Sequence, residues 1–414
     1  LAFRFVHTAD IHLDSPLKSL ALRDEALAEV VGNATRSTFR RIVDLCLAED
    51  VQALLIAGDL YDGSQTSMKT ARFLAQEMER LAAAGIPVFV IRGNHDAASR
   101  ITRELTLPEN VIVFPGKSEV IRTDWNDHSV AVHGISFRDP HAPDTLLDRF
   151  GPPVKGAFNI GMLHTSLGGA QGHDPYAPCT LADLQATGFD YWALGHIHRR
   201  SIYPGATTVV MPGIPQGRDI GEAGNKSVTL VSVGDDGSVA TEERHLAMAQ
   251  FERLSVDCLQ LSDWPDLIQA LKHALRTARR DHAGEHLIVR SVLTGETPLA
   301  WRAGRDLDLL HAEAQNVAEQ IGTLWIDKIE VALTTVSNTS TGGAVEELAQ
   351  IIMRQSLPPD DPTVLEDVER LLKHLPRELR GLLGDSEAET TAAIADAMQQ
   401  GAMEVLARLE ETDG

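Results

Sequence analysis

Apolar and polar positions follow two alternating rhythms over the first 200 residues. Short apolar runs (FRFVHTA, ALLIA, VFVIR, NIGML and YWAL) read as buried strands. Between them, apolar residues fall at helical spacing, as in RSTFRRIVDLCLAEDV with Phe39, Ile42, Val43, Leu45 and Leu47. TARFLAQEMERLAAAGIP repeats that spacing until Gly85 closes the helix and Pro87 opens the next strand. Such alternation predicts βαβ units and a largely parallel inner sheet within residues 1–250. Each of the five apolar runs also ends in a polar cluster: Asp10-Ile11-His12, Gly58-Asp59, Gly93-Asn94-His95-Asp96, His164, and Gly195-His196-Ile197-His198. Carboxyl ends of strands in open α/β sheets are where ligands gather, so the five clusters are expected to build one site.

The rhythm changes after residue 203. Pro and Gly turns separate TTVVM from SVTLVSV, and Asp235-Asp236-Gly237 is a hairpin signal. A second, more antiparallel sheet packed on the first is expected there. From residue 251 to 336 the order is strand, helix, strand, helix, strand (ERLSVDC, DLIQALKHALRTARR, HLIVRSVL, DLLHAEAQNVAEQI, LWIDKIEVAL), a small α+β module. SNTSTGG at 337–343 reads as a linker. Residues 344–414 hold three helical segments, AVEELAQIIMRQSL, TVLEDVERLLKHL and ETTAAIADAMQQGAMEVLARLEE.

A length of 414 residues fits two or three domains, and 43% hydrophobic content supports sizeable cores. No apolar stretch approaches the roughly 18 residues of a membrane span, and LAFRFVHTAD reads as a first strand, not a signal peptide. Cys46, Cys179 and Cys258 are too few and too scattered for a disulfide frame or zinc finger, which points to a reducing cytoplasm. The net charge of −22 argues against a broadly basic nucleic-acid surface. It is concentrated in the tail, where residues 341–414 carry 16 acidic and 6 basic side chains. Any nucleic-acid groove must therefore be a local basic patch assisted by bound cations.

Hydrolysing a phosphodiester means bringing an anionic nucleophile to an anionic phosphorus centre. Two metals about 3.5–4 Å apart solve this by binding phosphate oxygens and lowering the pKa of a shared water. Such a pair needs a bridging carboxylate with mixed oxygen and imidazole ligands, a set suited to Mn, Fe or similar ions. Asp10, His12, Asp59, Asn94, His164, His196 and His198 supply that set. In extended chain, residues i and i+2 share a face, so Asp10/His12 and His196/His198 are each expected to converge.

The order DxH, GDxxD, GNHD, lone His, GHxH resembles the calcineurin-like metallophosphoesterases. The longer strings HTADIHLDSPL, AGDLYDG, RGNHD and GHIHRR look like its SbcD-type DNA repair nuclease branch, particularly YhaO-like exonucleases. The resemblance covers about residues 3–250, and the module at 251–336 is similar to that branch's capping domain. It implies an α/β, four-layer αββα sandwich with a small α+β capping domain and a helical C-terminal tail. It also implies a DNA exonuclease, with endonuclease action as well, in which a metal-bound hydroxide attacks phosphorus in line. One metal would be held by Asp10, His12, Asp59 and His198, the other by Asp59, Asn94, His164 and His196, with Asp59 bridging. The expected ions are two Mn²⁺, with Fe²⁺, Mg²⁺ and Zn²⁺ as alternatives. His95 would stand beside the phosphate, and Asp96 would orient it through a carboxylate–imidazole hydrogen bond. In one departure, Asp62 stands where some family members carry a phosphate-facing His. Further implications are an SbcC-type coiled-coil ATPase as partner, and a homodimer through residues 37–48 and 66–84.

Plainer readings stand beside several of these. Arg199, Arg200 and Arg218 follow the last motifs and could pair with DNA phosphates or form ordinary surface ion pairs. His7, His133 and His173 lie near the motifs, and core or edge packing accounts for them. The loop Gly168–Tyr176 either shapes the substrate groove or merely connects strands. Arg276, Arg279 and Arg280 end a helix, where its dipole already favours cations. Tail residues Leu371, Leu372, Leu375, Met398, Met403, Val405, Leu406 and Leu409 could pack on their own protein or dock on a partner. Two rival functions remain: a phosphodiesterase for small or cyclic nucleotides using the same site, and a non-enzymatic scaffold.

Overall fold

The computed structural model describes residues 3–15, 25–62, 67–98, 107–140, 144–168, 176–282, 284–334, 351, 358–374 and 387–409. The chain divides into two compact units: Leu1–Glu252 with Ala283–Leu287, and Arg253–His282 with Ile288–Gly414. The linker read at 337–343, His173, and nearly all of 344–357 lie outside the described residues.

The first unit is built on β1 (Phe3–Thr8), β2 (Ala53–Ala57), β3 (Val88–Ile91), β4 (Val111–Val113), β5 (Glu119–Trp125) and β6 (His128–Gly134). It continues with β7 (Phe158–His164), β8 (Tyr191–Gly195), β9 (Ser201–Tyr203), β10 (Thr208–Met211), β11 (Ser227–Val233) and β12 (Val239–His245). They form two six-stranded sheets, ordered β12-β11-β1-β2-β3-β4 and β5-β6-β7-β8-β10-β9. β1 to β4 run parallel, as do β6, β7, β8 and β10.

Strand alternation explains the layering. Phe3, Phe5, Ala53, Leu55 and Phe89 face Val130, Val132, Ile160, Met162 and Tyr191 between the sheets. Val6, Leu54, Ile56, Val88 and Val90 face outward onto Phe39, Ile42, Val43, Leu74, Met78 and Leu81, which belong to helices Ala34–Ala48 and Met68–Ala83. On the far side Leu163, Trp192, Leu194, Val209 and Met211 pack with Leu184 of helix Leu181–Ala186. The order is helix, sheet, sheet, helix, with each fully buried Leu, Ile, Val or Phe worth about 1.5–3 kcal/mol.

Residues 203–250 do not form a sheet of their own, which corrects the reading of that stretch. β10 joins β8 in the second sheet, while the β11–β12 hairpin adds to β1 in the first. Both β1 and β11 are buried almost throughout, so neither can leave one side of its backbone unpaired. Pairing with each other satisfies both. The hairpin turn itself lies at the expected Asp235-Asp236-Gly237, with Gly237 at φ 80°.

After the two large sheets, β13 (Ala249–Asp257), β14 (His286–Glu296) and β15 (Leu324–Thr334) form a third sheet in that order. Helices Trp264–Asp281 and Leu307–Ile321 connect them, burying Leu267, Leu271 and Leu275 on one and Leu310, Ala314 and Val317 on the other. A further short helix, Ala300–Arg305, receives the last helix, Glu387–Leu409, whose Ile394 is buried. Helix Pro362–His374 leaves Leu365 and Leu371 exposed. Leu375 and the side chains of Met403, Val405, Leu406 and Leu409 lie outside the described residues. Among the described residues, no helix is long and apolar enough to cross a membrane.

Candidate metal centre

The carboxyl ends of β1, β2 and β3 lie side by side, and those of β7 and β8 likewise, so all five polar clusters open at one end of the sandwich. The chain there leaves strand geometry. Asp10, His12, Asp59 and His196 take φ of 52°, 45°, 52° and 101°, conformations that cost a side-chain-bearing residue about 1–3 kcal/mol each. Convergence of Asp10 with His12 therefore comes from two left-handed residues, not from the extended i, i+2 face expected. Hydrogen bonds hold the turn open: Asp10, His12 and Leu13 N–H donate to the carbonyls of Gly58, Asp59 and Leu60, each at 3.0 Å. Gly93 is needed for close approach, since a Cβ there would overlap Asp59 Oδ1 and stand 2.7 Å from His164 Nε2.

The seven expected ligand residues meet. Ligand atoms of Asp10, His12 and His198 lie within 4.8 Å of one another, and so do those of Asp10, Asp59 and His164. His12 Nε2 is 3.3 Å from His198 Nε2. His164 Nε2 lies 3.3 Å from Asp59 Oδ2 and 3.1 Å from Asn94 Oδ1, while its Nδ1 is bound to the Ala57 carbonyl at 2.9 Å. The His196 ring stands edge-on to His164 with centroids 5.1 Å apart, and the His196 backbone N–H donates to both oxygens of Asp10.

Burial sets the charges. It raises Asp10 to about 6 and lowers His12 and His196 to about 3. For Asp59 burial also works against ionisation, yet the charge and hydrogen bond of His164, with His12 and His95, hold it below the usual carboxylate range. His164 is the counterpart: burial disfavours its proton, but Asp59 raises it to about 9. Two neutral imidazoles, an ionised carboxylate and a proton held between His164 and Asp59 form a donor set that fits divalent cations. A cation entering there would displace that proton, as ligation requires.

His95 is 42% exposed at the rim, and its Nδ1 lies 3.2 Å from Asp62 Oδ1. Asp62 also accepts a hydrogen bond from Ser15 Oγ at 2.7 Å. The hydrogen bond to Asp62 raises the His95 pKa and lowers that of Asp62. Two expectations change here. Asp62 is the carboxylate that orients His95, and it is not a bare charge facing phosphate. Asp96 does not hold His95; its carboxylate accepts N–H groups of Leu60, Tyr61 and Gly93 at 3.2, 2.9 and 3.1 Å. The two residues are adjacent in helix Asn94–Ala98, where neighbours point apart. Burial and the charge of Asp59 raise Asp96 to about 6.

The three arginines separate. Arg199 is exposed and makes no hydrogen bond or ion pair with a described residue. Arg200 turns inward, donating from Nη1 to Thr229 Oγ1 at 2.7 Å and facing Glu243 at 3.7 Å, so it is not a phosphate contact. Arg218 is committed to Glu222, with Nη2 to Oε1 at 2.6 Å and its own N–H to Oε2 at 2.8 Å. Glu222, which sequence reasoning missed, also receives His198 Nδ1 at 2.8 Å. Burial works against its charge, but His198 and Arg218 hold its pKa well below the usual range. His7 bonds Tyr191 Oη at 2.9 Å and the Leu194 carbonyl at 3.1 Å, and His133 bonds Asn159; both pack inside as expected.

Comparison with known proteins follows the division of the chain. The calcineurin-like phosphoesterase family model matches residues 3–200, and that of the metallophosphoesterase YhaO middle domain matches residues 251–334. The uncharacterized metallophosphoesterase YhaO of Bacillus subtilis (strain 168) is 31% identical over 377 residues, covering 88% of this chain and 90% of that protein. The DNA double-strand break repair protein Mre11 of Sulfurisphaera tokodaii is 27% identical over 225 residues, 51% of this chain and 54% of its own length. Among solved structures, a dimetal phosphatase from Danio rerio matches 59% of this chain and 97% of its own, at 14% identity and a TM-score of 0.37.

Proposed function

This chain belongs to the YhaO-like family of calcineurin-like metallophosphoesterases, and from that premise we propose that it is a metal-dependent nuclease hydrolysing DNA phosphodiesters. The observation that carries the reading is His95, half exposed beside a buried carboxylate–imidazole cluster and paired through Nδ1 with Asp62. That pairing holds one proton at Nδ1 and favours the doubly protonated ring, whose second proton, on Nε2, can pass to a departing sugar oxygen, leaving the neutral Nδ1–H imidazole against Asp62.

In this reading Asp10, His12, Asp59 and His198 hold one cation, and Asp59, Asn94, His164 and His196 hold the other. Two divalent ions bound there, Mn²⁺ first among them, supply charge against the phosphate oxygens and an acidified water. Asp96, by gathering three backbone amides, holds the turns that carry Asp59 and Asn94 against each other. The Ala57 carbonyl fixes the His164 tautomer so that Nε2 faces the site. DNA as substrate is supported by the 27% identity to Mre11 proteins and by the uncommitted Arg199. One observation favours the rival, a diesterase for small or cyclic nucleotides: a chain with net charge −22 repels a polyanion.

The test is Mn²⁺-dependent cleavage of end-labelled linear duplex and closed circular single-stranded DNA, wild type beside His95→Gln. The expected result is cleavage that falls about 10²–10⁴-fold in the variant, the range for loss of a general acid. Cutting of the linear duplex alone indicates exonuclease action, and cutting of the circle adds endonuclease action. Hydrolysis of a chromogenic diester with both DNA substrates untouched would hand the function to the rival.

A further inference from the structure

Two imidazoles of the cluster, the buried His164 and the part-exposed His198, are backed differently at Nδ1. His164 Nδ1 meets a backbone carbonyl, that of Ala57. His198 Nδ1 meets a carboxylate, Glu222 Oε1, at 2.8 Å. That carboxylate has no spare capacity: Arg218 engages Oε1 through Nη2 and Nε and Oε2 through its own backbone N–H and Nε.

The turn that presents Glu222 is itself anchored. Asp219 caps the 3-10 turn Ile220–Glu222 by accepting Gly221 N–H at 2.7 Å. Gly224 N–H donates to the Phe251 carbonyl at 2.9 Å, and Gln250 Nε2 donates to Asn225 Oδ1 at 3.0 Å. The Ile214 N–H meets the His198 carbonyl at 3.1 Å from the other side. Both His198 and its support are thus pinned independently of their mutual contact, and the 2.8 Å bond selects between ring orientations and tautomers.

From this arrangement we infer that Glu222, clamped by Arg218, is a positioning residue that fixes the Nδ1–H tautomer of His198 and so sets the affinity of one cation position alone. The inference rests on the metal-site reading above and deepens it. A carboxylate on Nδ1–H keeps the proton at that nitrogen and makes Nε2 a stronger donor; loss of such a partner costs about 10–100-fold in metal affinity. The His164 position, backed by a main-chain carbonyl, has no side chain whose removal would do the same. The two positions are therefore unequal, and the inequality can be removed at residue 222.

The experiment titrates the full metal-free chain with Mn²⁺ alone, following bound and free ion by electron paramagnetic resonance. Wild type is compared with Glu222→Gln, Glu222→Ala and Arg218→Met. Two equivalents are expected for wild type. One equivalent weakens about 10-fold in Glu222→Gln and up to about 100-fold in Glu222→Ala, while the other keeps its affinity. Arg218→Met should weaken the same equivalent. Nitrogen NMR of the metal-free protein should show the His198 ring as the Nδ1–H tautomer in wild type and a mixture in Glu222→Ala. Unaltered affinity at both positions in Glu222→Gln, or equal loss at both together with a lowered metal-free Tm, overturns the positioning role while leaving the metal site standing. Absence of any bound Mn²⁺ in wild type overturns the metal-site reading itself.

Discussion

The halves of the site around His164 and His198 are made by different means. His164 ends a buried strand, is fully enclosed, and touches Ala57, Asp59 and Asn94, all from strand ends or the residues just after them. His198 lies beyond its strand, is 30% exposed, and is held by Glu222 and Arg218 from a surface turn. The first half is a by-product of the core, so altering it disturbs folding. The second half is a side-chain network that can be retuned while the core stays intact. A metallophosphoesterase site of this kind thus combines an inflexible base with an adjustable rim.

The largest break in that comparison should come from Gly58→Ala. A Cβ at Gly58 would overlap the His164 imidazole and stand 3.1 Å from Gly93 N, at a φ of 96° that disfavours any side chain. Backbone strain plus overpacking should cost about 3 kcal/mol. In a unit of this size that lowers Tm by roughly 6–12 °C, measured by calorimetry on the metal-free chain. Glu222→Gln in the rim, which loses the ion pair with Arg218 but leaves the core packing intact, should lower Tm clearly less. Similar Tm losses in both variants would erase the distinction between base and rim.

What was legible in sequence follows the same line. Ligands in the base, and His12 and His198 with them, sit within a few residues of a strand end, so short strings such as GNHD reveal them. The support of the rim is not local. Glu222 stands 24 positions beyond His198, in RDIGEAG, with neither strand alternation nor helical spacing to mark it. Only the excursion of the chain from β8 to β11 brings the two together. Arg200 was misjudged for a related reason: its partner Thr229 lies on β11, which the hydrophobic pattern assigned to a separate sheet. Adjacency misled at Asp96, because consecutive residues on a helical turn do not share a face, whereas Asp62, distant in sequence, does meet His95.

A third histidine sharpens the electrostatic side of the comparison. His7 is as buried as His164 but hydrogen-bonds, among the described residues, Tyr191 and a carbonyl, and burial lowers it to about 3 where Asp59 raises His164 to about 9. Because the folded-state value lies below the unfolded one, the unfolded chain binds the extra proton as pH falls below about 6.5. The stability tied to neutral His7 is therefore complete above that pH and declines on acidification towards about 3, by about 2 kcal/mol at pH 5. Unfolding free energies from urea titrations at about pH 8 and pH 5 should draw together by that amount in His7→Gln, whatever the variant's absolute stability. An unchanged difference would mean that His7 keeps its proton when folded.

The smallest effect belongs at the outermost point of the rim. Of the three arginines near the site, Arg200 and Arg218 are committed to protein partners, and Arg199 alone presents an exposed guanidinium free of described ones. If DNA lies over the site, Arg199 neutralises one backbone phosphate and releases about one counterion. Arg199→Gln should then reduce the slope of log affinity against log salt by about 1 and weaken binding less than tenfold, without preference for sequence. The measurement is fluorescence anisotropy with a labelled duplex across a salt series, in Ca²⁺ to prevent cleavage. Because the surrounding chain is strongly acidic, removing a single local cation should be visible even though each such contact is weak. A slope that does not move would place the phosphate path elsewhere, leaving the rim as a device for the cations alone.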